Sequence, residues 1–244
     1  MYRDPKIGDY MDIFNLSSRE IALLIFLAQN RAAEREIEIT TTQLANFFNI
    51  SQQTASRCFR KLDEMRIVTW KSSPKGSLVM LTPQGVHILD QLRFELEKAL
   101  HPDLTSIELR GKVFSGRGEG KYYVSQPGYM KSFKIQLGFE PFPGTLNVRI
   151  GADYLDCLDL IRGSLPIIIE GFDSNERPFD AVLCYPLKVL GLNAKVAGII
   201  PKSTHYGAGV LELISNINLR EKLKLEDGDE VCVLFPLELK EGNG

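Results

Sequence analysis

Gly116, Gly118 and Gly120 stand at alternate positions, directly after an apolar run and directly before Lys121, Tyr122 and Tyr123. A backbone with so little Cβ bulk can approach another group closely and adopt φ > 0 without penalty, which limits the folds that can carry it. Successive N–H groups in such a loop form a concavity for an anion, and Lys121 adds a point charge suited to phosphate. A flexible hairpin between two strands is the other reading of the same glycines. Two familiar phosphate loops are excluded. The G-x-x-x-x-G-K-[ST] pattern finds Gly120 and Lys121, but Ser115 replaces its first glycine and Tyr122 its metal-binding hydroxyl. The dinucleotide fingerprint fails because the third glycine comes one residue early and no helical pattern follows at once.

A second unusual stretch runs from Gly138 to Asn147, GFEPFPGTLN. Pro141 and Pro143 fix their own φ and bias Glu140 and Phe142 towards extended geometry, so the segment reaches the turn residue Gly144 stiff. Thr145 and Asn147, two apart in the strand that follows, point to the same face. Their neutral oxygens suit a hydrated hard cation such as magnesium that leans on substrate phosphates. Alternatively, a proline-rich turn uses both side chains to satisfy local backbone.

The first hundred residues have a different character. Ser17 and Glu20 form a capping box ahead of an apolar helix through Ile21, Leu24, Ile25 and Leu27, and a short β-like run, Ile37 to Thr40, follows. Thr41 lacks an acidic partner at capping-box spacing, yet the segment from Thr42 to Phe48 reads as a short helix broken at Asn49, and Ser51 starts another. Two strand-like runs, Ile67 to Trp70 and Leu78 to Leu81, flank a basic tip, Lys71 to Gly76. This order matches a helix-turn-helix followed by a wing and resembles the winged regulators of prokaryotic transcription. The predicted base-facing residues are Ser51, Gln52, Gln53, Thr54 and Arg57, with Arg60, Lys61, Lys71 and Lys75 directed to phosphates of a double-stranded DNA operator. A solvated basic face, or a winged helix used to bind protein, reads the same residues differently. Pro83 to Leu100 is predicted as a last helix with Val86, Leu89, Leu92, Leu96 and Leu100 along one side. That stripe suits packing on its own domain or the interface of a homodimer. His101-Pro102 then marks a boundary, giving domains at residues 1–102 and 103–244.

The composition is that of an ordinary globular protein: 244 residues, 44% hydrophobic and 25% charged, with a formal net charge of −2. A balance so near neutrality argues against a generally nucleic-acid-coating or membrane-coating surface, so any DNA contact must come from a local patch. Cys58, Cys157, Cys184 and Cys232 are widely spaced, which argues against a zinc knuckle or disulfide framework and for a reducing cytoplasm. The start is polar, without a secretory apolar region, and the apolar runs are too short to span a bilayer.

Beyond the boundary, β-type runs recur at 107–115, 122–125, 145–150, 165–169, 181–190, 194–200 and 230–235, while 129–137, 211–214 and 219–223 read as helical. Many short strands with few helices suggest a small barrel. The motifs GRGEGKYYVSQPGY, GFEPFPGTLNV and the later KSTHY, VLELI and NLR, together spanning about residues 106–238, resemble the archaeal CTP-dependent riboflavin kinases. That resemblance implies a six-stranded cradle-loop barrel. It implies transfer of the γ-phosphate of CTP to the 5′-hydroxyl of riboflavin, giving FMN and CDP. By the same resemblance Gly116, Arg117, Gly118, Glu119, Gly120, Lys121, Ile217, Asn218, Leu219 and Arg220 hold the nucleotide. Thr145 and Asn147 hold one Mg2+, Thr204 and Glu212 contact the flavin, and Glu212 serves as base or substrate orienter. His205 reads as structural. A winged helix fused to such an enzyme suggests a regulator of flavin genes. The alternative is a ligand-responsive transcription factor whose barrel binds nucleotide or flavin without catalysis.

Overall fold

In the computed structural model, which describes residues 13–173, 178–201 and 209–237, the chain divides into two compact units, Met1–Glu95 and Leu96–Gly244. The first unit begins with a 3-10 turn at Ile13–Asn15 and helix α1 at Ser18–Gln29. Ser17 caps α1 as its side chain accepts from the Glu20 N–H, and the Ser17 N–H returns a bond to Glu20 Oε2 at 2.8 Å. Strand β1 (Ile37–Ile39) leads to α2 (Thr41–Phe48) and α3 (Gln52–Glu64). A second capping box, formed by Thr40 and Gln43, starts α2. The cap is thus Thr40 and not Thr41, and its partner is an amide and not an acid. Asn49, in the left-handed region at φ 50°, ends α2, and Ser51 caps α3 by accepting from the Thr54 N–H.

The wing is the hairpin of β2 (Val68–Ser73) and β3 (Gly76–Leu81), and β1 adds to the far edge of β3. Leu24, Leu27, Leu44, Phe59, Leu62, Ile67 and Val79 pack into one core beneath these elements. This element order, helix, strand, two helices and hairpin, makes the first unit a winged helix-turn-helix. Helix α4 (Pro83–Leu100) buries Gly85, Ile88, Gln91 and Phe94. Val86, Leu89 and Leu92 only flank the core, and Leu96 and Leu100 are 51% and 71% exposed. The helix thus turns its buried stripe about one residue away from the line of leucines visible in the sequence.

In the second unit the strands β4 (Ser106–Phe114), β5 (Leu146–Ile150), β9 (Val182–Val189), β10 (Val196–Pro201), β11 (Val210–Ser215) and β12 (Glu230–Pro236) close a six-stranded antiparallel barrel in the order β10, β11, β5, β4, β12, β9 and back to β10. Strand β6 (Ile167–Ile169) shares the edge of β9 with β12, taking Val182 to Cys184 while β12 takes Lys188 and Val189. Strands β7 (Phe172–Asp173) and β8 (Pro178–Phe179) pair outside the barrel. Helices α5 (Glu119–Val124) and α6 (Pro127–Gln136) connect β4 to β5, α7 (Leu155–Arg162) follows β5, and α8 (Leu219–Leu223) precedes β12.

Three sequence expectations are corrected. Residues 122–125 are not a strand but lie in and just after α5, so a helix does follow the glycines. Residues 211–214 are not helical but the centre of β11, where a short apolar run is buried from both neighbouring strands. Helix α7 was not anticipated.

Within the first unit, Glu20 is almost fully buried and its two carboxylate oxygens each lie 2.9 Å from Lys61 Nζ. Burial alone would raise the Glu20 carboxyl, but the Ser17 N–H and the Lys61 ammonium outweigh it and hold it below the usual carboxylate range. A depressed folded value means that the pairing stabilises the unit above the unfolded carboxylate pKa and is lost as pH falls through the folded one. Glu20→Gln should therefore lower the stability of the winged unit by about 1–2 kcal/mol at pH 7 and by less at pH 4, read by chemical denaturation at the two pH values.

Candidate active site

A cavity of about 370 Å³ opens in the second unit, and its lining has two halves. Gly116, Gly118, Glu119, Gly120, Lys121, Thr145, Asn147, Glu212 and Arg220 make a polar half. Tyr123, Tyr129, Phe133, Phe179, Val182 and Ile199 make an apolar, largely aromatic half. One row of cross-strand partners runs through it: Phe114 opposite Asn147, Asn147 opposite Glu212, and Glu212 opposite Ile199, on β4, β5, β11 and β10. Opposed residues in an antiparallel sheet present side chains to the same face, so this register alone delivers four of the lining residues together.

The glycine segment meets the Thr-x-Asn strand directly. Gly118 adopts φ 80° and caps α5, which the absent Cβ permits at no steric cost. At Gly120 a Cβ would come within 2.3 Å of Thr145 Oγ1 and 3.1 Å of Thr145 Cβ, so only glycine lets the first turn of α5 lie against that residue. Thr145 Oγ1 is in turn 3.4 Å from Asn147 Oδ1, and the Thr145 hydroxyl also bonds the Glu212 side chain. Three oxygen-bearing side chains thus converge beside the glycine turn. The donor set is hard and mostly neutral, which fits a magnesium ion that retains waters and shares phosphate oxygens. Among the described residues, no group of three or more His, Cys, Asp or Glu could hold a metal without such help.

Burial is the largest influence on Glu212 and raises its carboxyl above the ordinary value, Glu119 raises it further, and the Thr145 bond works the other way. Arg220 reaches the cavity from α8. Of its neighbours, Asn218 is spent on capping α8 by accepting from the Glu221 N–H at 3.3 Å, Leu219 is buried in the core, and neither these nor Ile217 and Arg117 line the cavity. Thr204 and His205 lie outside the described residues. The aromatic half escaped sequence reading because Tyr123, Tyr129, Phe133 and Phe179 come from α5, α6 and β8, with no common spacing. Their mutual contacts include Tyr129 edge-on to Phe179, with centroids 5.8 Å apart.

In the winged unit, Gln52, Gln53, Arg57 and Arg60 are exposed along α3, and Lys75 is exposed at the wing tip. Ser51 and Thr54 bond one another at 2.9 Å in the cap. Lys61 is committed to Glu20, and Lys71 Nζ lies 3.0 Å from Glu36 Oε1, so these two charges are already partly neutralised.

The family model CTP-dep_RFKase, described as a domain of unknown function (DUF120), matches residues 113–234. A riboflavin kinase of Methanosarcina barkeri is 37% identical over 88% of this chain and 94% of its own length. Riboflavin kinases of Archaeoglobus fulgidus and Pyrococcus furiosus are each 37% identical, over 96% and 89% of this chain and 98% and 99% of their own. A crystal structure of MarR matches 37% of this chain and 62% of its own at 26% identity and a TM-score of 0.29. The winged-helix description of the first unit stands on its own element order.

For a carboxyl whose folded pKa is raised, the folded state binds the proton more tightly, so stability declines as pH rises from the unfolded to the folded value. Glu212→Gln should remove that decline: melting of the second unit in the variant should vary less between pH 4 and 7 than in the natural protein and should lie above it at pH 7, as followed by calorimetry.

Proposed function

Because the chain belongs to the CTP-dependent riboflavin kinase family, we propose that it transfers the γ-phosphoryl group of CTP to the 5′-hydroxyl of riboflavin, giving FMN and CDP. The observation that carries this reading is the contact of Gly120 with Thr145, which brings the anion-binding turn and the Thr-x-Asn strand to one cavity. In the transfer, the ribityl oxygen forms a bond to the γ-phosphorus as the bridging oxygen of CDP leaves with its electron pair. Such chemistry needs alignment and charge neutralisation more than covalent participation.

The turn from Gly116 to Lys121 and the guanidinium of Arg220 take the triphosphate. Thr145 and Asn147 hold a magnesium ion, whose chemistry is to draw charge from the phosphate oxygens. The aromatic half, Tyr123, Tyr129, Phe133 and Phe179, accepts the flat isoalloxazine ring by stacking and edge contacts. Glu212 stands between the two halves and takes the acceptor side, and a carboxylate raised by burial is the stronger acceptor for the hydroxyl proton.

A second reading concerns the first unit. The exposed Gln52, Gln53, Arg57 and Arg60 on a capped helix beside a basic wing tip support binding of double-stranded DNA, and thereby regulation of flavin genes. It does not compete with catalysis.

Incubation with riboflavin, magnesium and each nucleoside triphosphate in turn should yield FMN with CTP and not with ATP, GTP or UTP, followed by chromatography. Asn147→Ala should lower turnover about 10–100-fold while riboflavin binding, read by flavin fluorescence, stays within about twofold. Loss of flavin binding with unchanged metal dependence would sink the role given to Asn147. In the first unit, Arg57→Ala should weaken a selected operator about tenfold in a mobility-shift titration and leave kinase turnover unchanged.

A further inference from the structure

Asp227, in the turn between α8 and β12, does not line the cavity but holds two residues that do. Its Oδ2 accepts the Ser115 N–H at 2.9 Å, its Oδ1 accepts the Ser115 hydroxyl at 3.1 Å, and Oδ1 also accepts from Arg220 Nη1 at 2.8 Å. Ser115 opens the glycine segment and Arg220 belongs to α8, so one carboxylate ties together two stretches of chain remote in sequence. The turn that carries it is itself fastened to the end of β4. The Gly228 N–H donates to the Val113 carbonyl at 2.8 Å, the Val113 N–H donates to the Asp229 carbonyl at 2.9 Å, and the Glu226 N–H donates to Asp229 Oδ2 at 2.7 Å. Gly228, at φ 96°, allows the chain to reverse there.

The consequence for Arg220 follows from the donor count of a guanidinium. It has five N–H donors in one plane. Nη1 spends its two on Asp227 Oδ1 and on the Leu225 carbonyl at 3.5 Å. Among the described residues Nε and Nη2 have no protein acceptor, so the edge they form is the one left for a ligand in the cavity that Arg220 lines. That edge is a planar fork matching two oxygens of one phosphate. Ser115, by contrast, spends both its N–H and its hydroxyl on Asp227 and so serves as an anchor from which the glycine turn departs.

We propose that Asp227 is the positioning residue of the nucleotide site: it fixes the plane of Arg220 and the root of the glycine turn, so that both meet the triphosphate already oriented. This rests on the reading of the cavity as a CTP site. The Asp227 and Arg220 side chains are 51% and 35% exposed, and ion pairs of that kind contribute little to stability. The effect therefore belongs in nucleotide binding and not in folding.

The test is steady-state kinetics of the full chain carrying Asp227→Ala or Asp227→Asn. Asp227→Ala should raise KM for CTP about tenfold, with KM for riboflavin within about twofold and the unfolding midpoint within about 2 °C of the natural protein. Asp227→Asn keeps an acceptor oxygen for Ser115 but not the charge facing Arg220, and should raise KM for CTP about threefold. If Asp227→Ala fails to fold, Asp227→Asn decides alone. An unchanged KM for CTP, or equal rises in KM for both substrates, overturns the proposal. A natural protein that makes no FMN from CTP would instead overturn the assignment of function, independently of either variant.

Discussion

The pairing of β5 with β11 in one register governs the catalytic unit. It sets Asn147 opposite Glu212, and the flanking pairs extend that row to Phe114 on one side and Ile199 on the other. Because side chains alternate faces along a strand, a slip of one residue would turn the whole row away from the cavity. Closure of the barrel through β9 and β10 leaves those strands no free edge along which to slide. Leu146, Val148 and Ile150 on β5, and Leu211 and Leu213 on β11, are buried and lock the same register from the opposite face. Apolar packing on one side of the sheet thus holds the polar geometry on the other.

What could be read in the sequence was local, and what could not was tertiary. The Ser17–Glu20 capping box, the Asn49 break and the Ser51 start are side-chain-to-backbone signals within four residues, and the structure contains each of them. Gly120 and Thr145 could be seen as unusual, but their contact depends on where β4 ends and β5 begins. Tyr122 and Tyr123 favour strands by propensity, yet the turn at Gly118 and the demand that Gly120 sit against Thr145 wind them into α5. Leu211 to Ile214 is ambiguous by periodicity alone, and its place between β5 and β10 decides it. Asp227, followed by Gly228 and Asp229, has only the character of a turn residue in sequence, and its bonds to Ser115 and Arg220 depend on the fold.

The two units use charge in opposite ways. In the winged unit, Glu20 is buried and ionised because Lys61 and the Ser17 N–H compensate it, so a cation that looked available for DNA is part of the architecture. In the barrel, Glu212 has no such cation among the described residues: the Thr145 hydroxyl is the bond that favours its charged form, and both burial and Glu119 oppose it. The structural carboxylate is neutralised in advance, whereas Glu212, in the role proposed for it, gains from being left partly uncompensated.

That contrast bears on why neutral oxygens stand where the proposed magnesium ion would bind. A third carboxylate at position 145 or 147 would attract the cation more strongly, but it would stand beside Glu212 and Glu119 and face the triphosphate, adding repulsion wherever the ion is absent. Threonine and asparagine offer oxygens without that cost and leave the nucleotide to supply the negative charge. A magnesium ion held by these two residues would depend on the phosphates for most of its charge compensation, as suits a small divalent ion that sheds water reluctantly. Gly120, whose missing Cβ lets the first turn of α5 lie against Thr145, brings the turn and the strand together beside the buried carboxyl.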